Sequence, residues 1–476
     1  MNQHFVDRKE ELEFLEKFYK KREGSLIIIY GRRRVGKTEL IKNFIASKNS
    51  IYYLCERQPI QKNVEKFKEI VAEKLGEEWL KDISVRDFES VFKAVERRLK
   101  KEKIVVVFDE FPYLIEMDRG IVSHFQKIWD EILKNTNVLL ILCGSSIGMM
   151  ETEVLGYKSP LHGRRSAQWK LTELEIKFLK DFLPSYDFES ILYTYSILGG
   201  IPLYLLKFDA GKSVFENVKE QFLWKGGFLY EEAENLLRQE FREPRNYMLI
   251  LRAIAEGKRK LGEISNETGL DKSAVSRYLD TLETVKFVDY ELPVTEPSKS
   301  KKRLYYLSDN YLNFWFKFIY PNKWLIEEGF GERVLEKIKS EFSRFFSGTF
   351  ERLCRKIVLS RFDFTRVGKQ WGRIPGSREV YEIDIVALNE KTKKILFAEC
   401  KWQRKVNARK ICKELAEKSQ YVQWHNDKRK EGFAIFAKSF SKRINEFEGR
   451  KVYCFDLRDM EKVIKNHHDN MKTLLL

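Results

Sequence analysis

No apolar run in the chain approaches the roughly 18–20 residues that cross a bilayer. The most aromatic stretch, "YLNFWFKFIY", is too short and carries Lys317. No membrane association is therefore expected. The opening segment, "MNQHFVDRKEELEFL", is charged from its start and does not read as a secretory signal. A cytoplasmic location is expected. The six cysteines (Cys55, Cys143, Cys354, Cys400, Cys412 and Cys454) are scattered, and none forms a C-x-x-C pair. Neither a disulfide framework nor a zinc module is indicated. Bulk disorder is excluded too, because 43% of the residues are hydrophobic and 33% charged. A length of 476 residues allows about three or four domains.

Charge is present and unevenly spread. The formal net charge is +17, and residues 341–476 hold 31 Lys and Arg against 18 Asp and Glu. Most of the excess therefore sits in the last third. A basic segment of this kind suits a polyanion, most often nucleic acid. The alternative is a lysine-rich solvated surface of a thermophile protein.

The sharpest motif is "SLIIIYGRRRVGKTEL". A short apolar strand leads into Gly31-Arg32-Arg33-Arg34-Val35-Gly36-Lys37-Thr38, and Glu39 opens an amphipathic helix. This is a P-loop in its required strand–loop–helix context. The glycines let backbone N–H groups turn inward around phosphate oxygens, and the helix N-terminus adds positive potential. Lys37 is expected on the β- and γ-phosphates of ATP, and the Thr38 hydroxyl on Mg²⁺. A second apolar run, "KIVVVFDEF", ends in Asp109–Glu110, the Walker B pattern. Asp109 would hold the Mg²⁺ shell, and Glu110 would polarise the attacking water. A third, "NVLLILCGSS", ends in Ser145 and Ser146. Ligands collect at the C-terminal ends of parallel strands, so Ser145 is either a γ-phosphate sensor or a simple turn residue.

Around these motifs the chain resembles the AAA+ and STAND superfamily of P-loop ATPases, in particular its archaeal members. The resemblance rests on "FVDRKEELEFL", "GSS", "SPLHGRR" and "LGGIPLYL", in that order, and covers about residues 1–240. It implies that Phe5, Val6 and Arg8 lie near the adenine. It also implies that Arg164 or Arg165 serves as a trans-acting finger or a switch residue, with a homo-oligomer assembled around it. "GGIPLYL" would begin a lid helix, with Pro202 in its first turn.

The middle of the chain, "LGEISNETGLDKSAVSRYLDTLETVKFVDYELPV", has helix–turn–helix organisation. Gly269 closes the first helix and Asp271 caps the second. Val275, Tyr278, Leu279 and Leu282 make one buried stripe. Lys272, Ser273, Ser276 and Arg277 face outward, suited to phosphates or base edges. Two strands around "TEPSKSKKR" complete a winged helix, which either binds DNA or only packs. The aromatic stretch "DNYLNFWFKFIYPNKW" is expected to be a core rather than a base-stacking platform.

"YEIDIVALNEKTKKILFAECKW", from Tyr381 to Trp402, reads as two strands apolar on both faces, with Ile383, Ile385 and Ala387 on one side and Val386 and Leu388 on the other. Asp384, Glu399 and Lys401 sit inside them. Unpaired buried charge costs several kcal/mol, so either this is an edge hairpin or the three charges share a ligand. Two carboxylates on adjacent strands can grip Mg²⁺, and residues 399 and 401 share a strand face. An upstream helix offers Glu351 as a further ligand, a following one offers Gln420, and Glu382 either adds a ligand or merely neighbours the first carboxylate. This α–β–β–α order resembles the PD-(D/E)XK nucleases over about residues 345–460. Ile383 stands where that pattern has proline.

The expected fold class is α/β and multidomain: a P-loop ATPase core (1–168), a helical lid (169–240), a winged helix (241–310), a helical connector (311–344) and a restriction-endonuclease-like domain (345–465). The expected function is ATP binding and hydrolysis with DNA binding and a Mg²⁺-dependent nuclease. The alternative is a STAND-type signalling switch with a catalytically inactive C-terminal domain.

Overall fold

The computed structural model describes residues 5–466. The chain divides into two compact units. One runs to Leu174 and includes Ile201–Leu203; the other comprises Glu175–Gly200 and the chain from Tyr204 onward. Among the described residues no helix is long and apolar enough to cross a membrane.

The first unit is built on five parallel strands: β1 (Ser25–Tyr30), β2 (Ser50–Leu54), β3 (Ile104–Asp109), β4 (Val138–Gly144) and β5 (Ala167–Lys170). β1, β3 and β4 are buried throughout. Helices cover a parallel sheet on both faces, so its central strands read as continuous apolar runs. The spatial order is β2-β3-β4-β1-β5. β4 is thus inserted between the strand that feeds the P-loop and the strand that ends in Asp109. The C-terminal ends of these three strands lie side by side, where open parallel sheets bind ligands. On one face, Phe67, Phe88, Phe92 and Phe125 pack their rings against Phe108 of β3.

The second unit opens with helices, among them Phe188–Leu198, whose Asp187 cap accepts the Ser190 N–H at 2.8 Å. Gly199, at φ 66°, ends that helix. The four-residue helix that Pro202 begins, Pro202–Leu205, starts in residues that belong to the first unit. Tyr311, Phe314, Trp315, Phe316 and Phe318 are buried, as expected of a core. The helix–turn–helix consists of Leu261–Thr268 and Lys272–Thr284. Gly269 is left-handed at φ 70°, and Asp271 accepts the N–H groups of Ser273 and Ala274, both at 2.9 Å. Val275, Leu279 and Leu282 are buried. Tyr278 is half-buried, and its hydroxyl accepts from Asn246 at 2.8 Å. β6 (Val288–Glu291) and β7 (Leu304–Leu307) pair antiparallel as the wing.

A single helix of 31 residues, Gly331–Arg361, runs through the position between 344 and 345. After it come β8 (Arg366–Arg373), β9 (Val380–Asn389), β10 (Lys394–Lys401), β11 (Val406–Asn407), β12 (Lys430–Ala437), β13 (Phe440–Lys442), β14 (Glu446–Phe447) and β15 (Arg450–Phe455). Six of these form one sheet in the order β14-β15-β12-β10-β9-β8, and β11 pairs with β13. β8, β9 and β10 run antiparallel, whereas β10, β12 and β15 run parallel. β9 and β10 are therefore interior strands, which removes the edge-hairpin reading.

The expected alternation along β9 does not hold. Between the pairs Gly368↔Val386 and Gln370↔Ile383, two steps on β8 face three on β9. The extra residue falls at Asp384–Ile385, a β-bulge. It brings Ile383 into the same apolar cluster as Val386 and Leu388. A bulge re-aims one side chain while its neighbours stay packed, and here that side chain is at or beside Asp384.

Candidate functional site

At the P-loop, backbone shape comes first. Gly31 has φ 155°, and a Cβ there would stand 2.2 Å from the Leu171 carbonyl oxygen. Gly36 has φ 93° and caps the helix Lys37–Ile45. Lys37 is buried, and its Nζ donates to the carbonyls of Gly31 and Arg32 at 3.0 and 2.9 Å. Burial pushes its ammonium below the usual lysine range, against an opposing pull from neighbours that include Glu110 and Asp109. Arg33 Nη1 stands 3.5 Å from the Tyr113 hydroxyl, and Arg34 is left-handed at φ 69°. Val35 is buried, and Glu39 lies exposed in the first helical turn.

The acidic residues are held by hydroxyls. Asp109 Oδ2 accepts from Thr38 Oγ1 at 2.8 Å and from the Tyr52 hydroxyl at 2.7 Å. Glu110 Oε2 accepts from Ser145 Oγ at 2.6 Å and from the Ser145 N–H at 3.3 Å. Glu110 itself is left-handed at φ 53°, a strained conformation of the kind stored at functional sites. The insertion of β4 thus brings Ser145 onto Glu110. Tyr52 was missed in the sequence. It is one of two tyrosines in "SIYYL", and only the β2–β3 pairing reveals which of them meets Asp109.

Other expected residues are placed as follows. Arg8 is buried, and its Nη2 donates to the carbonyls of Val35 and Thr172 at 3.0 and 2.8 Å, which ties it to the P-loop backbone. Phe5 and Val6 are half-buried. Arg164 is committed within its own unit, its Nε 2.8 Å from Asp130 Oδ2. Arg165 Nη1 stands 3.5 Å from the Leu155 carbonyl.

In the C-terminal sheet, Asp384 Oδ2 accepts the Cys400 N–H at 2.8 Å. The side chain takes a strand amide just where β9 stops pairing with β10. Glu399 is buried; its Oε1 accepts from Lys401 Nζ at 2.8 Å, and Lys418 Nζ stands 3.4 Å from both oxygens. Burial first, then the charges of Glu399 and Glu351, pushes the Asp384 carboxyl up to about 7. Glu351, on the long helix, pairs with Lys369 Nζ at 3.2 Å and has Arg355 at 3.9 Å. Lys369 also pairs with Glu382 at 2.6 Å. Gln420 is exposed, next after the helix Ala408–Ser419. Among the described residues no group of three or more His, Cys, Asp or Glu side chains is gathered so as to hold a metal ion.

Lys369 and Lys418 went unnoticed in the sequence. Lys418 had a signal: it continues the helical stripe of Ile411 and Leu415, where another apolar residue would be expected. Lys369 had only its position inside a strand.

Residues 5–208 match an ATPase domain found predominantly in Archaea. An uncharacterised protein of Methanocaldococcus jannaschii, MJECL04, is 36% identical over 464 residues, which are 96% of this chain and 99% of that one. The chain belongs to this family of archaeal P-loop ATPases. A second protein of that organism, described as an uncharacterised ATP-binding protein, is 64% identical over 44 residues, 9% of this chain and 75% of its own. Residues 246–291 of the archaeal ATPase match the IclR helix-turn-helix domain. Residues 315–411 match a family described as archaeal and bacterial proteins of unknown function. Among solved structures, the Walker-type ATPase PABY2304 of Pyrococcus abyssi aligns with a TM-score of 0.49 at 21% identity, covering 66% of this chain and 96% of its own.

Proposed function

We propose that this ATPase is a nucleotide-controlled DNA-binding protein with a Mg²⁺-dependent deoxyribonuclease site of the PD-(D/E)XK type. The observation that carries the nuclease reading is the placement of Asp384 and Glu399 on neighbouring interior strands, with Asp384 at a bulge and close enough to Glu399 to feel its charge. A buried carboxyl whose proton is held by burial and by a neighbouring carboxylate fits a cation better than it fits water.

Thr38 and Asp109 would hold Mg²⁺ in the first site, Asp384 and Glu399 in the second. Bound there, the ion would neutralise phosphoryl charge in the first site and polarise the phosphodiester in the second. The chain's own residues do the rest. Lys37 gives up the Gly31 and Arg32 carbonyls for the β- and γ-phosphates. Glu110, released by Ser145, orients the attacking water. Arg165 is the better finger of the pair, because Arg164 already serves Asp130. A homo-oligomer would supply it in trans. In the C-terminal sheet, Lys401 moves from Glu399 to the scissile phosphate. Lys369 keeps Glu351 as its counter-ion, so Glu351 positions rather than ligates. DNA would be held by the basic C-terminal third and by Lys272 and Arg277 of the helix–turn–helix.

A panel of branched and duplex DNA, with and without ATP and divalent metals, tests this. Metal-dependent cutting by the wild type supports the reading, and no cutting across the panel removes the nuclease. The ion pairs already made by Glu399 and Glu351 favour a second reading, a nucleotide-controlled switch whose C-terminal sheet is catalytically inactive. DNA affinity measured against salt separates a sheet that still grips DNA from an inert adaptor.

A further inference from the structure

Glu189 lies in the first turn of the helix Phe188–Leu198. Its carboxylate is held by three donors. Lys438 Nζ and the Tyr193 hydroxyl both donate to Oε1, the hydroxyl at 2.7 Å, and Arg404 Nη2 stands 3.4 Å from Oε2. Asp187, the helix cap, adds a second negative charge acting on Lys438.

Both cations belong to the rim that carries Lys401. Lys401 ends β10, and Arg404 follows it by one short turn. Lys438 comes directly after β12, the parallel neighbour of β10. Backbone bonds hold them together: Gln403 N donates to the Lys401 carbonyl at 2.7 Å, and Lys438 N donates to the Gln403 carbonyl at 3.0 Å. Trp402 sits among them. Its Nε1 donates to the Tyr193 hydroxyl at 3.0 Å, its ring packs on Phe346 with centroids 4.6 Å apart, and Lys438 stands 4.5 Å above its face.

One lysine, one arginine and one phenol converging on a pair of anionic oxygens is a donor set that also suits a phosphodiester. The two anions carry the same charge, so one can replace the other. Arg404 is 73% exposed, so its pair with Glu189 holds little energy, whereas the more buried Lys438 is the stronger hold on Glu189. We infer that Lys438 and Arg404 form a phosphodiester-binding site beside Lys401, and that Glu189 fills it while no nucleic acid is bound. The inference rests on reading the C-terminal sheet as a DNA-binding module. It makes Glu189 an internal competitor that nucleic acid must displace.

The test is Glu189→Gln against Glu220→Gln, an exposed glutamate paired with Lys212. The two variants change net charge equally. Duplex DNA affinity is measured from low to high salt. Glu189→Gln should bind several-fold more tightly than Glu220→Gln. Its slope of log K against log salt should stay near that of the wild type, because the same two cations meet phosphates in both complexes. Equal affinities in the two variants, with the wild type binding DNA, overturn the inference alone. No binding by any of the three proteins at low salt overturns the DNA reading as well. If Glu189→Gln does not fold, Arg404→Ala serves, since that side chain is mostly in solvent. It should weaken binding and lower the slope by about 0.9, and an unchanged affinity overturns the inference.

Discussion

The two acidic sites of the molecule satisfy their carboxylates in opposite ways. At the P-loop, Asp109 and Glu110 are held by the hydroxyls of Thr38, Tyr52 and Ser145. In the C-terminal sheet, Glu399 is held by Lys401 and Lys418, and Glu351 by Lys369. A hydroxyl leaves the negative charge in place, so an arriving cation meets an anion. An ammonium cancels the charge, and a cation must then compete with it. The first site is ready for its ligand. The second is neutralised by its own lysines, and on the proposed nuclease reading a phosphate backbone would have to draw them away.

The largest expected effect is at the ready site. Lys37→Ala removes the ammonium that would meet the β- and γ-phosphates. ATP turnover should fall by about 100-fold to 1,000-fold, as when a single transition-state donor is lost. Turnover within a few-fold of wild type would break the comparison at its stronger end. Next comes Asp384→Ala, which should stop Mg²⁺-dependent DNA cutting and leave ATP hydrolysis within a few-fold of wild type. Cutting that survives this change would mean the hydrolytic centre lies elsewhere.

The difference between the sites also explains what the sequence made legible. The P-loop and the Asp109–Glu110 strand end are contiguous motifs, each written within a few residues, and their local structure follows from strand, glycine and helix-start chemistry. The helix–turn–helix was legible for the same reason, through Gly269 and Asp271. What could not be read is set by pairing between distant segments. The insertion of β4, which puts Ser145 on Glu110, is a choice of strand order that no local pattern encodes. The bulge at Asp384 exists only relative to β8. Lys369 and Lys418 reach their carboxylates from a different strand and a helix, 18 or 19 residues away in sequence. The uninterrupted helix Gly331–Arg361 joins what composition had divided into connector and domain. Charge neutralised by remote partners is invisible to motif reading, so the C-terminal acids looked more like metal ligands in the sequence than their ion pairs now make them.

A smaller effect separates the sites by pH. The Asp384 carboxyl is raised from 3.8 to about 7, first by burial and then by Glu399 and Glu351. The folded chain therefore keeps this proton where the unfolded chain has lost it. The stability this supplies is complete below about pH 4 and is lost progressively as pH rises to about 7. Asparagine is neutral at every pH and can still accept the Cys400 N–H. In the presence of a chelator, Asp384→Asn should melt near wild type at the acid end of the range. Its advantage should grow up to about pH 7 and level off above. A constant difference across this range would mean that neither burial nor the neighbouring carboxylates raise the Asp384 carboxyl.

The smallest effect is the mirror image at the P-loop. Burial first, and then Asp109, pushes the Tyr52 phenol well above its ordinary range, so it donates to Asp109 at any working pH. Tyr52→Phe removes one of the two hydroxyls on Asp109 Oδ2 and leaves Thr38 with the whole task. The lost bond is to a charged acceptor, typically worth about 1.5–3 kcal/mol. Tyr52 is only half-buried, so water can recover part of that, and a fall in melting temperature of a few degrees is expected, with a few-fold loss of ATP turnover. Because no proton is exchanged, the fall should be the same at pH 6 and pH 9. A loss that changed with pH would mean that the Asp109 site is also governed by coupled ionisation, and the contrast between hydroxyl-held and lysine-held carboxylates would then fail at its best-defined pair.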